Sequence, residues 1–362
     1  MIKLGIIFGG RSPEYDVSCM SAVSVMGAVD CNKYEIVMIG ITRTGEWLLY
    51  DGVREDIIDG AWEAYAKEAL EKDPEKYGFT VLGAGGKSLR DIIDFALPIV
   101  HGVYCEDGKL QGLLEMIDIP YGGCGTTASA VAMDKIMAKE LFLQAGLPVC
   151  AYTTTTPEIM SQNAISELER IESVLDYPMY VKPANEGSSV GITKAVNRDT
   201  LREGLVEASK YDKRLLIEAG IDCREIETAV LGNYDVDAAM TGEIIATEDF
   251  YDYNSKYIDD GRPKMKIPAD LPEDVSEKIK DIAIRAFHAI DGEGFARCDF
   301  FIDKKDGSIY LNEINTIPGF TAFSMFPMLW ESAGISYSET IERIIGLGYE
   351  RYYAAHDRKT NK

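Results

Sequence analysis

The sharpest chemistry in this chain lies in two closely spaced pairs of polar residues. Arg297 and Asp299 stand one residue apart in FARCDFFID, and Glu313 and Asn315 do the same in SIYLNEINT, two segments that read as strands joined by the turn KKDG. Alternate residues of a strand share a face, so all four side chains are expected on one side of a sheet. Such a row is either the solvated face of an ordinary sheet or a site for a hard cation. In the second case oxygens of Asp299, Glu313 and Asn315 hold Mg²⁺ against phosphates while Arg297 meets developing negative charge. The adjoining INTIPGF favours the cation site, because its Pro-Gly turn directs backbone N–H groups, notably that of Gly319, toward the same place.

Further candidates stand near other strand ends. In YVKPANEGSSVG, Lys182 precedes Glu186, Gly187, Ser188, Ser189 and Gly191, and small residues let backbone approach phosphate oxygens; the alternative is a plain turn beside an exposed lysine. Lys135 in AMDKIMAKE would add a cation from the start of a helix. LLIEAGIDCREIE places Glu218 and Glu225 around an apolar strand end, where backbone suits a purine edge and a carboxylate suits ribose hydroxyls, although glutamates seven apart are also common on solvated surfaces. The polar, tyrosine-rich stretch from Asp249 to Asp270 is longer than a compact domain leaves structureless and reads as a lid that keeps water from a reactive intermediate. FGGRSPEYDVS and HGVYCEDGKLQG set Glu14, Asp16, Glu106 and Asp107 beside glycine turns after apolar runs, where open α/β sheets bind ligands. His101 in the second segment reads equally as a structural histidine.

The elements that must position these groups follow from hydrophobic spacing. The run LGIIFGG, the helically spaced VSCMSAVSVMGAV and the run EIVMIGIT form a strand, helix and strand, and DFALPIVHG with LQGLLEMIDI continues the alternation, so residues 1 to about 125 are expected to hold a parallel sheet. After a helix over about 128–144 come short β segments, PMYVKPA, SVGITKAV, RLLIEAG, EIETAVLG and EIIATEDF. A helix over about 272–290 and a closing one near 337–346 complete the pattern. With 362 residues, two or three domains are expected. The net charge of -23 argues against nucleic acid and anionic membranes as partners, so an anionic ligand needs local cations or a metal. Seven scattered cysteines without a C-x-x-C pair, no signal-peptide pattern and no long apolar span point to free thiols and a cytoplasmic setting. Two apparent phosphate loops are set aside. GAGGKS has Val81 where a P-loop needs glycine, and Gly123, Gly125 and Ala128 fit G-x-G-x-x-A without a well-placed acidic partner.

Seven motifs, GG-x-S-x-E-x-x-VS-x-x-SA, HG-x-x-x-EDG-x-x-QG, MDK, VKP-x-x-EGSSVG, FYDY-x-x-KY, AR-x-D and NE-x-NT-x-PGFT, occur in an order that resembles the D-alanine-D-alanine ligases of the ATP-grasp superfamily across nearly the whole chain. The resemblance implies an α/β ATP-grasp fold. It has an N-terminal parallel α/β domain (1–127) and two nucleotide-clamping α+β domains (128–222 and 223–362), the last with a lid at 249–268. It implies ATP, two Mg²⁺ ions with Mn²⁺ able to substitute, D-alanine as substrate, a homodimer, and a role in peptidoglycan precursor synthesis. Residue by residue, Lys135, Lys182 and Lys256 would serve the ATP phosphates, Glu218 with the Ala219 and Ile221 backbone the adenine, and Glu225 the ribose. Asp299, Glu313 and Asn315 would ligate the metal. Glu14 would hold the first D-alanine's ammonium, with Ser188 and Tyr257 completing a bonded triad that ties down the lid. Arg297 and the Gly319 N–H would form the oxyanion hole, and Ser324 would hold the second carboxylate beside His101 and Met325.

D-alanine-D-serine ligases of the vancomycin-resistance type are the alternative, suggested by EYDVS and GITRTGEW. Against it, Met325 stands where those enzymes tend to have arginine, and an apolar residue there is expected to leave room only for a methyl group. Cys105 and Phe323 depart from the family's usual glycine and histidine. A third reading, an ATP-binding regulator without turnover, has no use for an oxyanion donor.

Overall fold

The computed structural model describes residues 1–83, 86–245 and 264–360. Three sheets divide them. The first has the order β3-β2-β1-β4, with β1 (Ile2–Gly9), β2 (Tyr34–Ile41) and β4 (Phe95–Pro98) parallel and β3 (Trp47–Tyr50) antiparallel at the edge. β1 lies between two neighbours and is covered on both faces, which explains its unbroken apolar run. The crossover helix α1 (Tyr15–Ala28) buries Cys19, Ala22 and Val25 on it. Helices α2 (Ala61–Lys72), α3 (Pro74–Tyr77) and α4 (Lys109–Met116) complete this unit.

α5 (Thr126–Met133) and α6 (Lys135–Gln144) follow as two helices where one is expected from the sequence. Asp134 leaves helical geometry (φ -87°, ψ 98°) and caps α6, accepting from the Ile136 and Met137 amides. Its carboxylate also pairs with Arg214. The break puts Lys135 in the first turn of a new helix.

The second sheet is antiparallel, with the order β5 (Tyr152–Thr155), β8 (Leu215–Ala219), β6 (Met179–Pro183), β7 (Thr193–Ala195). α7 (Pro157–Val174) and α8 (Arg198–Ala208) cover one face, packing Leu168, Ile171, Leu201 and Leu205 against Met179, Val181, Leu215 and Ile217. Strand alternation then sends Tyr180, Lys182 and Glu218 to the other face. Residues 189–191, expected to begin a strand, belong to a turn with Ser188 at φ 48° and Ser189 at φ 61°.

The third sheet is built around β9 (Cys223–Gly232), paired with β10 (Val236–Ala238), β11 (Gly242–Ile245) and β13 (Gly294–Asp303), with β12 (Lys264–Lys266) and β14 (Ile309–Asn315) outermost. One face packs Ile226, Val230, Cys298 and Ile314 on α9 (Glu273–Ala289), and α5 and α6 share that core through Ala128, Ala138 and Phe142. The other face is apolar at one end, where Phe295 and Leu231 meet Phe326 and Trp330 of α10 (Met325–Ser332). It is charged at the end toward the second sheet. The last helix, α11 (Tyr337–Thr360), runs well beyond the expected Gly346 and packs Ile341 and Ile344 on the first sheet's core. No described helix is long and apolar enough to cross a membrane.

Candidate active site

The register of β13 and β14 sets Arg297 opposite Asn315 and Asp299 opposite Glu313, so the four residues picked out by spacing form one patch. On its other side β9 sets Glu227 opposite Asp299. Arg297 forks onto Asp299 (Nε to Oδ1 2.7 Å, Nη2 to Oδ2 2.8 Å) and its Nε lies 2.9 Å from Glu227. Asn315 Nδ2 donates to Asp299 Oδ2 at 2.9 Å. Burial opposes the Arg297 charge, but Asp299 and Glu227 together hold it well above the ordinary guanidinium range. Three carboxylates around one guanidinium leave the patch acid-rich, and two of its carboxylates with one amide give the all-oxygen donor set a hard cation takes. Among the described residues no three His, Cys, Asp or Glu side chains converge on one metal point. Mg²⁺ ordinarily takes one or two carboxylates and leaves the remaining positions to phosphates and water, so this patch fits it.

Facing it is a patch of the opposite character. Glu218, only 2 % exposed, receives Lys182 Nζ at 2.6 Å on one oxygen and lies 2.5 Å from Lys139 Nζ on the other. Burial pushes its carboxyl up, but the two ammonium groups prevail and hold it at about 2. Lys182 is raised, its burial outweighed by Glu218. Lys135 donates to the Glu186 carbonyl and is lowered by burial and by Lys182, against the pull of Glu313. Glu313 thus acts on lysines of the other sheet, and the two patches share one electrostatic field. Between them lies a cavity of about 270 Å³, lined by Lys135, Lys182, Glu218, Arg297, Asp299 and Glu313. Ala219, Ile221, Glu225, Ser188 and Asn315 also line it. The Ala219 N–H is taken by the Ala151 carbonyl (2.8 Å), so that amide is not the group that would read a purine.

At the end nearest the first sheet, Ser188 donates to Glu14, which stands at the head of α1. That bond spans from the first unit to the second sheet and holds the left-handed Ser188 turn in place. Gly102 (φ 76°) permits the approach, since a Cβ there would come within 2.7 Å of Glu14 Oε2. His101 is buried, with Nδ1 2.9 Å from the Ile317 carbonyl and 3.6 Å from Glu106. Burial lowers the His101 pKa but Glu106 more than restores it, and Glu106 itself is raised by burial. Gly319 and Ser324 are close, a Cβ on Gly319 meeting Ser324 Oγ at 3.0 Å, and Ser324 is engaged by the Thr321 amide (3.0 Å). Lys256 and Tyr257 lie outside the described residues.

Glu14, His101, Gly319, Ser324 and Met325, all expected at the site, do not line this cavity. Met325 is 3 % exposed and packs in the apolar cluster of Phe326 and Leu329, against Gly242, and is not among the residues that line the cavity. It opens a helix whose apolar face turns into the core. Phe323, by contrast, is exposed. Three residues of the site were not picked out as such. Lys139 follows Lys135 by one helical turn, Glu227 follows Glu225 by one strand period, and Glu106 was noted only as an acid after a turn.

Similarity to known proteins agrees with this geometry. The family model for the D-ala D-ala ligase N-terminus matches residues 3–124 and that for its C-terminus residues 141–346. The chain is 45% identical to a D-alanine-D-alanine ligase of Acetivibrio thermocellus over 96% of both chains, and 46% identical to one of Thermoanaerobacter sp. over 97% of both. Among solved structures it resembles VanG D-Ala:D-Ser ligase of Enterococcus faecalis (TM-score 0.83, 34% identity, 96% of this chain and 99% of that one). It also resembles the D-alanine-D-alanine ligase of Coxiella burnetii (TM-score 0.82, 32% identity, 99% and 97%).

Proposed function

The chain belongs to the D-alanine-D-alanine ligase family, whose fold is the ATP-grasp fold, and from that premise we propose that it joins two D-alanines at the expense of ATP. The observation that carries the reading is the facing pair of patches, one with excess positive charge and one with excess negative charge, across a single cavity. A magnesium nucleotide satisfies both at once. Lys135 and Lys182 meet phosphate oxygens, Glu218 and Ile221 meet the adenine, and Glu225 the ribose. Asp299, Glu313 and Asn315 would hold two Mg²⁺ ions, or Mn²⁺ in their place, which would neutralise phosphate charge and polarise the transferring group. Glu14 receives the first D-alanine's ammonium and so turns its carboxylate toward ATP. The γ-phosphoryl group passes to that carboxylate, giving an acyl phosphate. The second amine attacks its carbonyl carbon, and phosphate leaves. Arg297 and the Gly319 N–H receive the charge on the tetrahedral oxygen, a contribution of about 3 kcal/mol per donor. Ser324 and His101 hold the second substrate, and Ser188 fixes Glu14 through its hydrogen bond.

The same reading has the chain work as a homodimer in the cytoplasm, in three lobes (1–127, 128–222 and 223–362), supplying peptidoglycan precursors without nucleic acid or membrane partners. D-serine as second substrate is favoured by one observation, the likeness to VanG, and the buried Met325 no longer argues against it. Phosphate release from Mg·ATP with D-alanine alone, then with D-serine or D-lactate added, tests both, with products identified by mass. D-Ala-D-Ala from D-alanine alone is expected. D-Ala-D-Ser in excess makes the chain a D-Ala-D-Ser ligase, and phosphate release indifferent to D-alanine sinks the ligase reading.

A further inference from the structure

Lys139 is 2 % exposed, and burying an ammonium group that deeply is strongly unfavourable unless a fixed partner compensates it. Its partner is Glu218 Oε1, at 2.5 Å, and the face of Tyr152 lies 5.9 Å away. Glu218 already has a counterion in Lys182, on Oε2 at 2.6 Å. One carboxylate therefore faces two buried lysines. The proposed reading of the site assigns Lys182 to a phosphate, and Lys182 cannot serve Glu218 and a phosphate equally. If it turned away from a carboxylate with no second counterion, a buried charge would be left unpaired, a loss large enough to oppose nucleotide binding. From that geometry we infer that Lys139 is a positioning residue. It is the permanent counterion of Glu218, and it frees Lys182 to exchange the carboxylate for a phosphate of the nucleotide.

Placement supports the division of labour. Lys135 and Lys139 lie one turn apart on α6, yet only Lys135 lines the cavity, while Lys139 lies under the sheet at Glu218. Lys182 sits on the central strand β6, whose loop toward Ser188 borders the cavity. Lys139 is out of reach of a ligand, Lys182 is within reach, and Glu218 joins them. The strongly depressed Glu218 carboxyl is what two counterions produce.

The inference rests on the ATP reading, and its test separates the two. In wild type, ATP-dependent dipeptide formation is measured first; if it is absent, the reading of the site falls and the inference with it. Given activity, Lys139→Met is expected to raise the KM for ATP about tenfold, because Lys182 is then held by Glu218, with the KM for D-alanine within about twofold and kcat falling less than the KM rises. Adding Glu218→Gln to Lys139→Met removes the charge that holds Lys182 while keeping an acceptor oxygen for the adenine, and part of the lost ATP affinity is expected to return, a non-additive gain. Lys139→Arg, which keeps the charge, is expected to stay closer to wild type than Lys139→Met. An unchanged KM for ATP beside a lower Tm makes Lys139 a merely structural ion pair and overturns the inference, as does a double variant no better than the single one. If Lys139→Met does not fold, carbon-13 carboxyl NMR of glutamate-labelled wild type decides. The Glu218 resonance is expected to stay in the ionised range at pH 7 when a non-hydrolysable ATP analogue binds, and a move to the protonated range overturns the inference.

Discussion

Lys139 and Lys182 both pair with a single carboxylate, Glu218, on the second sheet; on the third sheet Glu227, Asp299 and Glu313 gather about a single guanidinium, Arg297. Two cations against one acid leave +1, and one cation against three acids leaves -2. Neither imbalance helps the isolated lobe fold, since unmatched buried charge is destabilising. Each is stored for a ligand carrying both signs. The lesson extends to the whole molecule, whose net charge of -23 would repel a nucleotide if the lysine patch were not locally dominant. The patches also differ in construction. The acidic one is made almost wholly by strand pairing, whereas the basic one needs a helix start, a strand and a long loop to meet.

The largest effect is expected on the acidic side. Asp299→Asn should lower kcat by about 10³-fold or more, and raise the Mg²⁺ concentration needed for half activity, while the protein stays folded. Steady-state rates across a Mg²⁺ titration check it; a loss that appears only in the KM for ATP would mean that the acids serve nucleotide binding alone. On the basic side the expected effect is on stability. Glu218 is held at about 2 instead of the ordinary 4.5, so it binds its proton less readily folded than unfolded. Its contribution, about 3 kcal/mol, is fully present above pH ~4.5 and is lost as pH falls toward ~2. Glu218→Gln should therefore be less stable than wild type at pH 7, by about 3 kcal/mol or more. The difference should shrink as pH drops through that window, and urea unfolding at several pH values reads it directly. A gap that does not change with pH would mean that the lysines do not set the Glu218 charge.

Between the patches, Ser188→Ala removes the bond to Glu14 that crosses from the first unit to the second sheet. A drop of about tenfold in kcat/KM for D-alanine, with the KM for ATP preserved, is expected. Equal losses for both substrates would make the bond a general clamp instead of a substrate-side one.

The difference in construction also explains what was legible in the sequence. Strand alternation is local and strict, so Arg297, Asp299, Glu313 and Asn315 could be placed on one face from spacing, and the β13 and β14 register agrees. The parallel first sheet was legible from its apolar runs. The basic patch was half legible. Lys139 looks like any surface lysine of an amphipathic helix, because the break at Asp134 that rotates α6 inward depends on Arg214, eighty residues away. Helices α7 and α8 were not anticipated, as their faces are rich in polar residues and only three or four side chains of each are buried. Met325 was assigned by resemblance to a position, while its side-chain direction follows from the packing of α10 against Gly242, which no local pattern records.

Glu227 gives the finest test of the comparison, because it asks whether the third carboxylate of the acidic patch belongs to the metal or to Arg297. Its position opposite Asp299 would suit a ligand, yet it lies 2.9 Å from the Arg297 Nε and is nearly buried. Asp299 would be drawn toward the metal when one binds, loosening its fork on the guanidinium, and Glu227 would then be the acid that keeps Arg297 aimed at the tetrahedral oxygen. Glu227→Gln keeps the shape and one acceptor oxygen but removes the charge. A threefold to tenfold fall in kcat, roughly 1 kcal/mol, is expected, with the Mg²⁺ requirement and the KM for ATP unchanged. A raised Mg²⁺ requirement resembling that of Asp299→Asn would instead make Glu227 a metal ligand, leaving Arg297 to be aimed by Asp299 alone.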